Sequence, residues 1–199
     1  MSIRLDEGYW TQRYDAGETG WDAGAITTPL KTYFDQLKVR SVAILIPGAG
    51  NAHEAQYLLD LGFTNVTVCD ISIAPLNNLA ARVGNPKSLK LIHGDFFKLR
   101  GRYDLIVEQT FFCALNPSLR RAYFLKMYEL LSDGGKLAGL LFNDALNDDR
   151  PPFGGSLDEY LTYVPKGLKI VRLEKCENSI PQRAGRELFM VLKKNSLQP

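Results

Sequence analysis

An apolar run that breaks into a glycine turn constrains this chain more than any other feature. Ile44-Leu45-Ile46-Pro47-Gly48-Ala49-Gly50 reads as a buried strand entering a tight turn, and twenty residues after Gly50 a second short strand, Val66-Thr67-Val68-Cys69, ends in Asp70. Glycine at 48 and 50 lets the backbone turn sharply and approach a ligand, because no Cβ stands in the way. An acid at the tip of the neighbouring strand is placed to accept hydrogen bonds from the two hydroxyls of a ribose. The pair predicts a nucleoside-bearing cofactor at the carboxyl edge of a parallel sheet. The alternative is an ordinary strand-to-helix turn.

The dinucleotide fingerprint Gly-x-Gly-x-x-Gly needs a third glycine where this chain has His53, so the close-packing glycine and the pyrophosphate cradle are both missing. The phosphate-loop pattern is absent too. A cofactor with ribose but no phosphates fits better, and S-adenosylmethionine is the common one.

The remaining composition narrows the partners. The length of 199 residues implies one domain. Twenty-four basic residues against 22 acidic ones give a net charge of +2 without a basic run, which argues against nucleic acid or a membrane surface as partner. Cys69, Cys113 and Cys176 are odd in number and widely spaced. They suit a reducing, cytoplasmic compartment and form no metal-ligand pattern. His53 and His93 each stand alone in the sequence. Met1 to Asp6 carries no apolar leader segment, and no run is long enough to span a membrane. A monomer acting on a small molecule is the expectation.

From residue 41 onward strand-like and helix-like segments alternate. Asn51 caps a helix to about Leu61, Ser72 caps a second that stops at Gly84-Asn85-Pro86, and Leu89 to His93 is a third strand. Tyr103 to Glu108 is a fourth strand, Asn116-Pro117 opens a helix to about Leu131, and Asp133-Gly134-Gly135 turns into a fifth strand, Lys136 to Phe142. A loop over 144–155, a short helix over 157–164 and a closing strand pair, 169–175 and 187–192, complete the chain. Such alternation implies a doubly covered parallel sheet with right-handed crossovers, one antiparallel strand at its edge, and ligands beyond the carboxyl ends of the strands. Residues 1–40 form an amino-terminal segment packed on the domain made by 41–199.

Several motifs go further. Trp10-Thr11-Gln12-Arg13-Tyr14, Gly17-Glu18-Thr19-Gly20-Trp21-Asp22, Pro29-Leu30, the loop Ile46 to Asn51, Gly94-Asp95-Phe96-Phe97, Thr110 to Pro117 and Pro151-Pro152-Phe153 follow one another in order. Together they resemble the thiopurine S-methyltransferase family, which includes plant thiol, thiocyanate and halide methyltransferases. The resemblance implies a class I methyltransferase (Rossmann-like) α/β fold, S-adenosylmethionine as methyl donor, and a sulfur-centred or otherwise soft nucleophile as acceptor. Methyl transfer from a sulfonium is an in-line displacement that gains from orientation and exclusion of water, and a desolvated thiolate or halide needs no strong base. The absence of a catalytic triad in the sequence agrees with this.

Site residues are expected as follows, each beside its plainer reading. Asp70 binds ribose with Ile71 next to it, or only caps the helix at Ser72. Gly48 and Gly50 approach the methionine and ribose portion, or only turn the chain. Asp95 bonds the adenine amino group while Phe96 packs on the ring, or the stretch is a helix cap with two core aromatics. Glu108 lies under the methionine or the acceptor, or is a buried acid paired with a cation such as Arg13. Trp10 and Trp21 lay aromatic faces beside a sulfonium as part of a lid, or sit in a core. Arg120, where the family has an arginine, faces an anionic acceptor or lies on a solvated helix face. Phe111, Phe112, Phe142 and Phe153 line an acceptor pocket or fill the core. Gln109 stands where the plant enzymes have tyrosine in Asp-Tyr-Thr-Phe-Phe-Cys-Ala, so an aromatic face is exchanged for a hydrogen-bonding amide. Glu108, Gln109 and Arg120 are the candidates for a catalytic role, and no metal is expected.

Other readings remain open at this stage: a methyltransferase acting on nitrogen or oxygen, a non-catalytic nucleoside-binding protein of the same fold, and a dinucleotide oxidoreductase. Against the first, the Asn/Asp-Pro-Pro-Tyr/Phe motif is missing after the fourth strand, and Pro151-Pro152-Phe153 comes after the fifth.

Overall fold

A computed structural model describes residues 3–196. Its seven strands make a mixed sheet, mostly parallel, with an antiparallel pair at one edge and helices around it. The chain divides into two compact units, residues 4–99 and residues from 100 onward.

In the first unit, α1 (Glu7–Asp15) and α2 (Thr28–Asp35) precede β1 (Ile44–Pro47), α3 (His53–Asp60), β2 (Val66–Asp70), α4 (Ile73–Val83) and β3 (Leu89–His93). The strands lie in the order β3-β2-β1, all parallel, with Ile44 opposite Val66 and Val66 opposite Leu89. Every residue of β1 and β2 is buried. This is why their sequences run apolar without the alternation of a one-sided sheet. Residues 4–40 belong to this same unit. Within them α2 buries Pro29, Leu30 and Phe34, whereas α1 buries no residue.

Of two expected helix caps, one forms. Ser72 caps α4, its hydroxyl accepting from Ala74 N, but Asn51 does not cap α3. That helix starts at His53 after Ala52, a non-glycine residue at φ 51°. The Asn51 side chain is engaged elsewhere, donating to Asp22 and accepting from Asn78.

The second unit contains β4 (Tyr103–Gln109), α5 (Arg120–Leu130), β5 (Leu131–Phe142), α6 (Leu157–Tyr163), β6 (Leu168–Lys175) and β7 (Glu187–Lys194), in the strand order β4-β5-β7-β6. β4 and β5 are parallel, while β7 runs antiparallel to both β5 and β6. The reversed strand therefore lies one place in from the edge, because the β6–β7 hairpin folds back onto β5. β5 also begins five residues earlier than the turn signal indicated. Asp133-Gly134-Gly135 falls inside an irregular stretch of the β4–β5 ladder rather than before it. At Gly139 the backbone of Glu108 lies so close that any Cβ would overlap it, so this mid-strand glycine fixes the spacing of β4 and β5. The carboxyl end of α5 is closed by cations. Lys194 Nζ donates to Tyr128 O at 3.0 Å and Leu131 O at 2.8 Å, satisfying carbonyls that the helix leaves unpaired.

Candidate active site

The tips of β1, β2 and β3 and the segment before them gather most of the residues expected to hold a cofactor. The loop after β1 is wound by alternate left-handed residues, Gly48 at φ 55°, Gly50 at 54° and Ala52 at 51°. Gly48 N donates to Cys69 O at 2.7 Å, which ties the loop to the end of β2. Gly50 N donates to one Asp70 oxygen at 3.1 Å, and Ser72 N donates to the other at 2.9 Å. Asp70 is only 7% exposed. Burial pushes its carboxyl up to about 6, against the opposing pull of the N–H groups of Ser72, Gly50 and Ile71 and of the His93 charge. Asp70 anchors the start of α4, as its plainer reading had it, and it also fixes the glycine loop.

Above Gly50 lies an aromatic cluster. Trp10 and Trp21 meet edge to face at 5.5 Å, and Tyr14 and Trp21 do so at 5.7 Å. A Cβ at Gly50 would lie 3.1 Å from the Tyr14 hydroxyl and 3.7 Å from Trp21 Nε1. Burial drives the Tyr14 hydroxyl well above its ordinary range, as does the neighbouring Asp70 charge, and the hydrogen bond from Trp21 opposes this. Tyr14 was not anticipated. It lies four residues after Trp10 on α1, so the two share one helix face, and that spacing was the available signal.

Polar contacts fasten the same arm to the strand tips. Thr11 Oγ1 lies 2.9 Å from Ser72 Oγ. His93 Nε2 is 3.0 Å from both Glu7 Oε1 and Ile71 O. Asp22 accepts from Asn51 Nδ2 at 2.5 Å and lies 2.8 Å from His53 Nε2. Neither histidine stands alone in space, since each meets a carboxylate of the arm. Asp95 caps the short 3-10 turn at Phe96–Lys98, accepting from Phe97 N at 2.9 Å. Phe96 is buried edge to face against Phe97, as its plainer reading had it.

Residues from the acceptor-side expectations cluster at the ends of β4 and β5. Glu108 is fully buried and both of its oxygens are engaged. One accepts from Phe111 N at 2.8 Å and Phe112 N at 2.9 Å, and the other from Tyr123 Oη at 2.5 Å. Burial lifts this carboxyl to about 7 despite those donors. Its partner is thus Tyr123, whereas Arg13 pairs with Glu18 at 2.9 Å. The turn after β4 carries Thr110 at φ 58°, a strained conformation for a β-branched residue. A small cleft here is lined by Glu108, Thr110, Phe112, Cys113, Leu140 and Phe142, among others.

Arg120 is not solvated. It is 3% exposed, donates to Glu159 Oε1 at 2.6 Å and Gly154 O at 2.5 Å, and lies over the Phe112 ring at 5.2 Å. Phe153 N donates to Cys113 O at 2.8 Å. The arginine therefore binds α6 and the 144–155 loop to the wall of the cleft, and both terminal nitrogens of its guanidinium are committed to protein groups. Phe111 and Gln109 are half-buried at the same strand end, and Phe153 is 6% exposed. Among the described residues no group of three or more His, Cys, Asp or Glu side chains could hold a metal ion.

The family model described as thiopurine S-methyltransferase matches residues 5–195. The chain belongs to the thiopurine S-methyltransferase family. Thiocyanate methyltransferase 1 of Brassica oleracea is 31% identical over 189 residues, covering 92% of this chain and 83% of that protein. The Arabidopsis thaliana protein named probable thiol methyltransferase 2 is 26% identical, covering 95% and 86%. Among solved structures, a Burkholderia thailandensis 1,6-didemethyltoxoflavin-N1-methyltransferase, with its substrate and S-adenosylhomocysteine bound, superposes with a TM-score of 0.76. It is 18% identical, covering 96% of this chain and 87% of that one, and the likeness establishes the class I methyltransferase fold. Family membership makes this chain an S-adenosylmethionine-dependent methyltransferase.

Proposed function

We propose that this thiopurine S-methyltransferase family member methylates a small, soft nucleophile: a thiol or thiopurine, thiocyanate, a halide or a chalcogen species. One observation carries the donor half of this reading. Gly50 is held at φ 54°, a conformation that side chains rarely adopt, with the Tyr14 hydroxyl only 3.1 Å from where a Cβ would lie, and its N–H is bonded to a buried acid at the tip of β2. A bare backbone turn beneath aromatic rings and beside an acid fits a ribose-bearing donor. Gly48, Gly50 and Asp70 are assigned to the ribose and methionine side, with Ile71, Asp95 and Phe96 on the adenine side. Trp10 and Trp21 supply aromatic surface beside a cation. S-adenosylmethionine, when bound, supplies an electrophilic methyl group on a sulfonium.

For the acceptor, Gln109, Phe111 and Phe153 are assigned as contact residues. Glu108 and Arg120 are assigned as positioning groups, because every strong contact that they make is internal. With Glu108 engaged in this way, the site favours a nucleophile that is already ionised or intrinsically soft and that reacts once water is removed. Three free, buried cysteines accord with a reducing, cytoplasmic setting, and no helix among the described residues is long and apolar enough to cross a membrane. A monomer and a small-molecule acceptor complete the reading.

The test is a panel assay that counts S-adenosylhomocysteine formed with 2-mercapto compounds, a thiopurine, thiocyanate, iodide and hydrosulfide. Turnover with at least one sulfur nucleophile is expected. Donor binding without turnover of any of them would instead make the chain a nucleoside-binding protein that retains the fold.

A further inference from the structure

Three hydrogen bonds converge on one carboxylate of the arm. Asp22 accepts from Asn51 Nδ2 at 2.5 Å and from Gly24 N at 2.7 Å, and its Oδ1 lies 2.8 Å from His53 Nε2. Asp22 directly follows Trp21, and Asn51 directly follows Gly50. The bond between Asp22 and Asn51 therefore joins the residue after the aromatic wall to the residue after the glycine beneath it. We infer that Asp22 is a positioning residue for the methyl donor: by anchoring the arm to Asn51 and His53 it holds Trp21 and Tyr14 over Gly50, and so sets how fast the spent donor leaves.

The ties of α1 itself are lighter. None of its residues is fully buried, and its rings Trp10 and Tyr14 pack on Trp21, the neighbour of Asp22. The Glu7–His93 pair has side chains 57% and 39% exposed, and a polar contact so open to water contributes little. The Asp22–His53 pair is sheltered, at 15% and 21%. Burial alone would raise the Asp22 carboxyl, but the donors Asn51, Gly24 and His53 outweigh it and hold it below the usual carboxylate range. The anion is the form that all three donors favour.

This inference rests on the donor reading above, and the experiment separates the two. Both tryptophans of the chain, Trp10 and Trp21, lie in the arm, so intrinsic fluorescence reports on it. Release of S-adenosylhomocysteine is followed by stopped flow for the wild type, Asp22→Ala, His53→Ala and the double variant, beside calorimetric affinity and thermal melting. Asp22→Ala is expected to release the ligand at least about tenfold faster with little change in the rate of binding. His53→Ala is expected to speed release by a smaller factor, and the double variant to match Asp22→Ala within about twofold, because both changes break the same anchor. Release within about threefold of wild type in both single variants, even with a lowered melting temperature, would make Asp22 a mere loop staple and overturn the inference. Should Asp22→Ala fail to fold, His53→Ala decides by the same threshold. A wild-type chain that binds no S-adenosylhomocysteine overturns the donor reading and this inference with it.

Discussion

Glu108 shows how one residue can look like a catalyst and act as a bracket. It sits at the end of β4 under the cleft, yet its two oxygens hold the Phe111 and Phe112 amides and the Tyr123 hydroxyl. The consequence is a pH-dependent stability. Burial lifts the carboxyl from 4.5 to about 7 in the folded chain, so the folded form keeps a proton that the unfolded form releases. The stability this group contributes is fully present below pH 4.5 and is lost as pH rises through about 7. The loss is on the order of 3 kcal/mol. Glu108→Gln cannot ionise, and its amide can still accept from the two N–H groups and donate to Tyr123. Urea unfolding at pH 5 and pH 8 should therefore show the variant close to wild type at the lower pH and more stable at the higher. Parallel pH dependence in the two proteins would contradict the account. Arg120 carries the same lesson. Its partners Gly154 and Glu159 lie 34 and 39 residues further along the chain, a distance over which no local pattern could foretell a buried clamp.

Among the elements, those specified by local chemistry were legible. The strand–glycine–acid unit over 44–70, the Ser72 cap and the β6–β7 hairpin each depend on residues near in sequence and form as read. The exceptions have long-range causes. Asn51 is a good cap by type, but Asp22, 29 residues earlier, takes its amide, and α3 starts later. Gly134-Gly135 signals a turn, yet the stretch is an irregularity within β5, between Leu131 paired with Tyr103 and Lys136 paired with Leu105. The tryptophans marked the amino-terminal segment as special, while the polar bonds that dock it were invisible because both partners of each are common surface residues. Those bonds also predict its dynamics. α1 has no fully buried residue, whereas α5 buries Tyr123, Phe124, Met127 and Leu130, so α1 should open locally at lower cost. In hydrogen exchange the amides of α1 should exchange fastest among the helices in the free protein and slow at least about tenfold when S-adenosylhomocysteine is added. Exchange in α1 as slow as in α5 before ligand is added would contradict this.

At the scale of the whole molecule, the proposed roles divide between the two units. The residues assigned to the donor, from Trp10 to Phe96, lie in 4–99, and those assigned to the acceptor and its supporting brackets lie from 100 onward. The fold class was legible throughout because alternation of strands and helices is a global pattern that survives errors at element ends. Acceptor identity was not, because no local pattern encodes it, and Gln109 stands where the plant-type motif has tyrosine. The central claim is that the β1–β2 tips and the aromatic arm hold the methyl donor through Asp70. The most direct test is calorimetric titration of S-adenosylhomocysteine into wild type and Asp70→Ala. The account predicts one ligand per chain with micromolar affinity and at least about tenfold weaker binding, roughly 1.4 kcal/mol, in the variant. Wild type that does not bind, or an Asp70→Ala variant that binds within about threefold of it, would contradict the account.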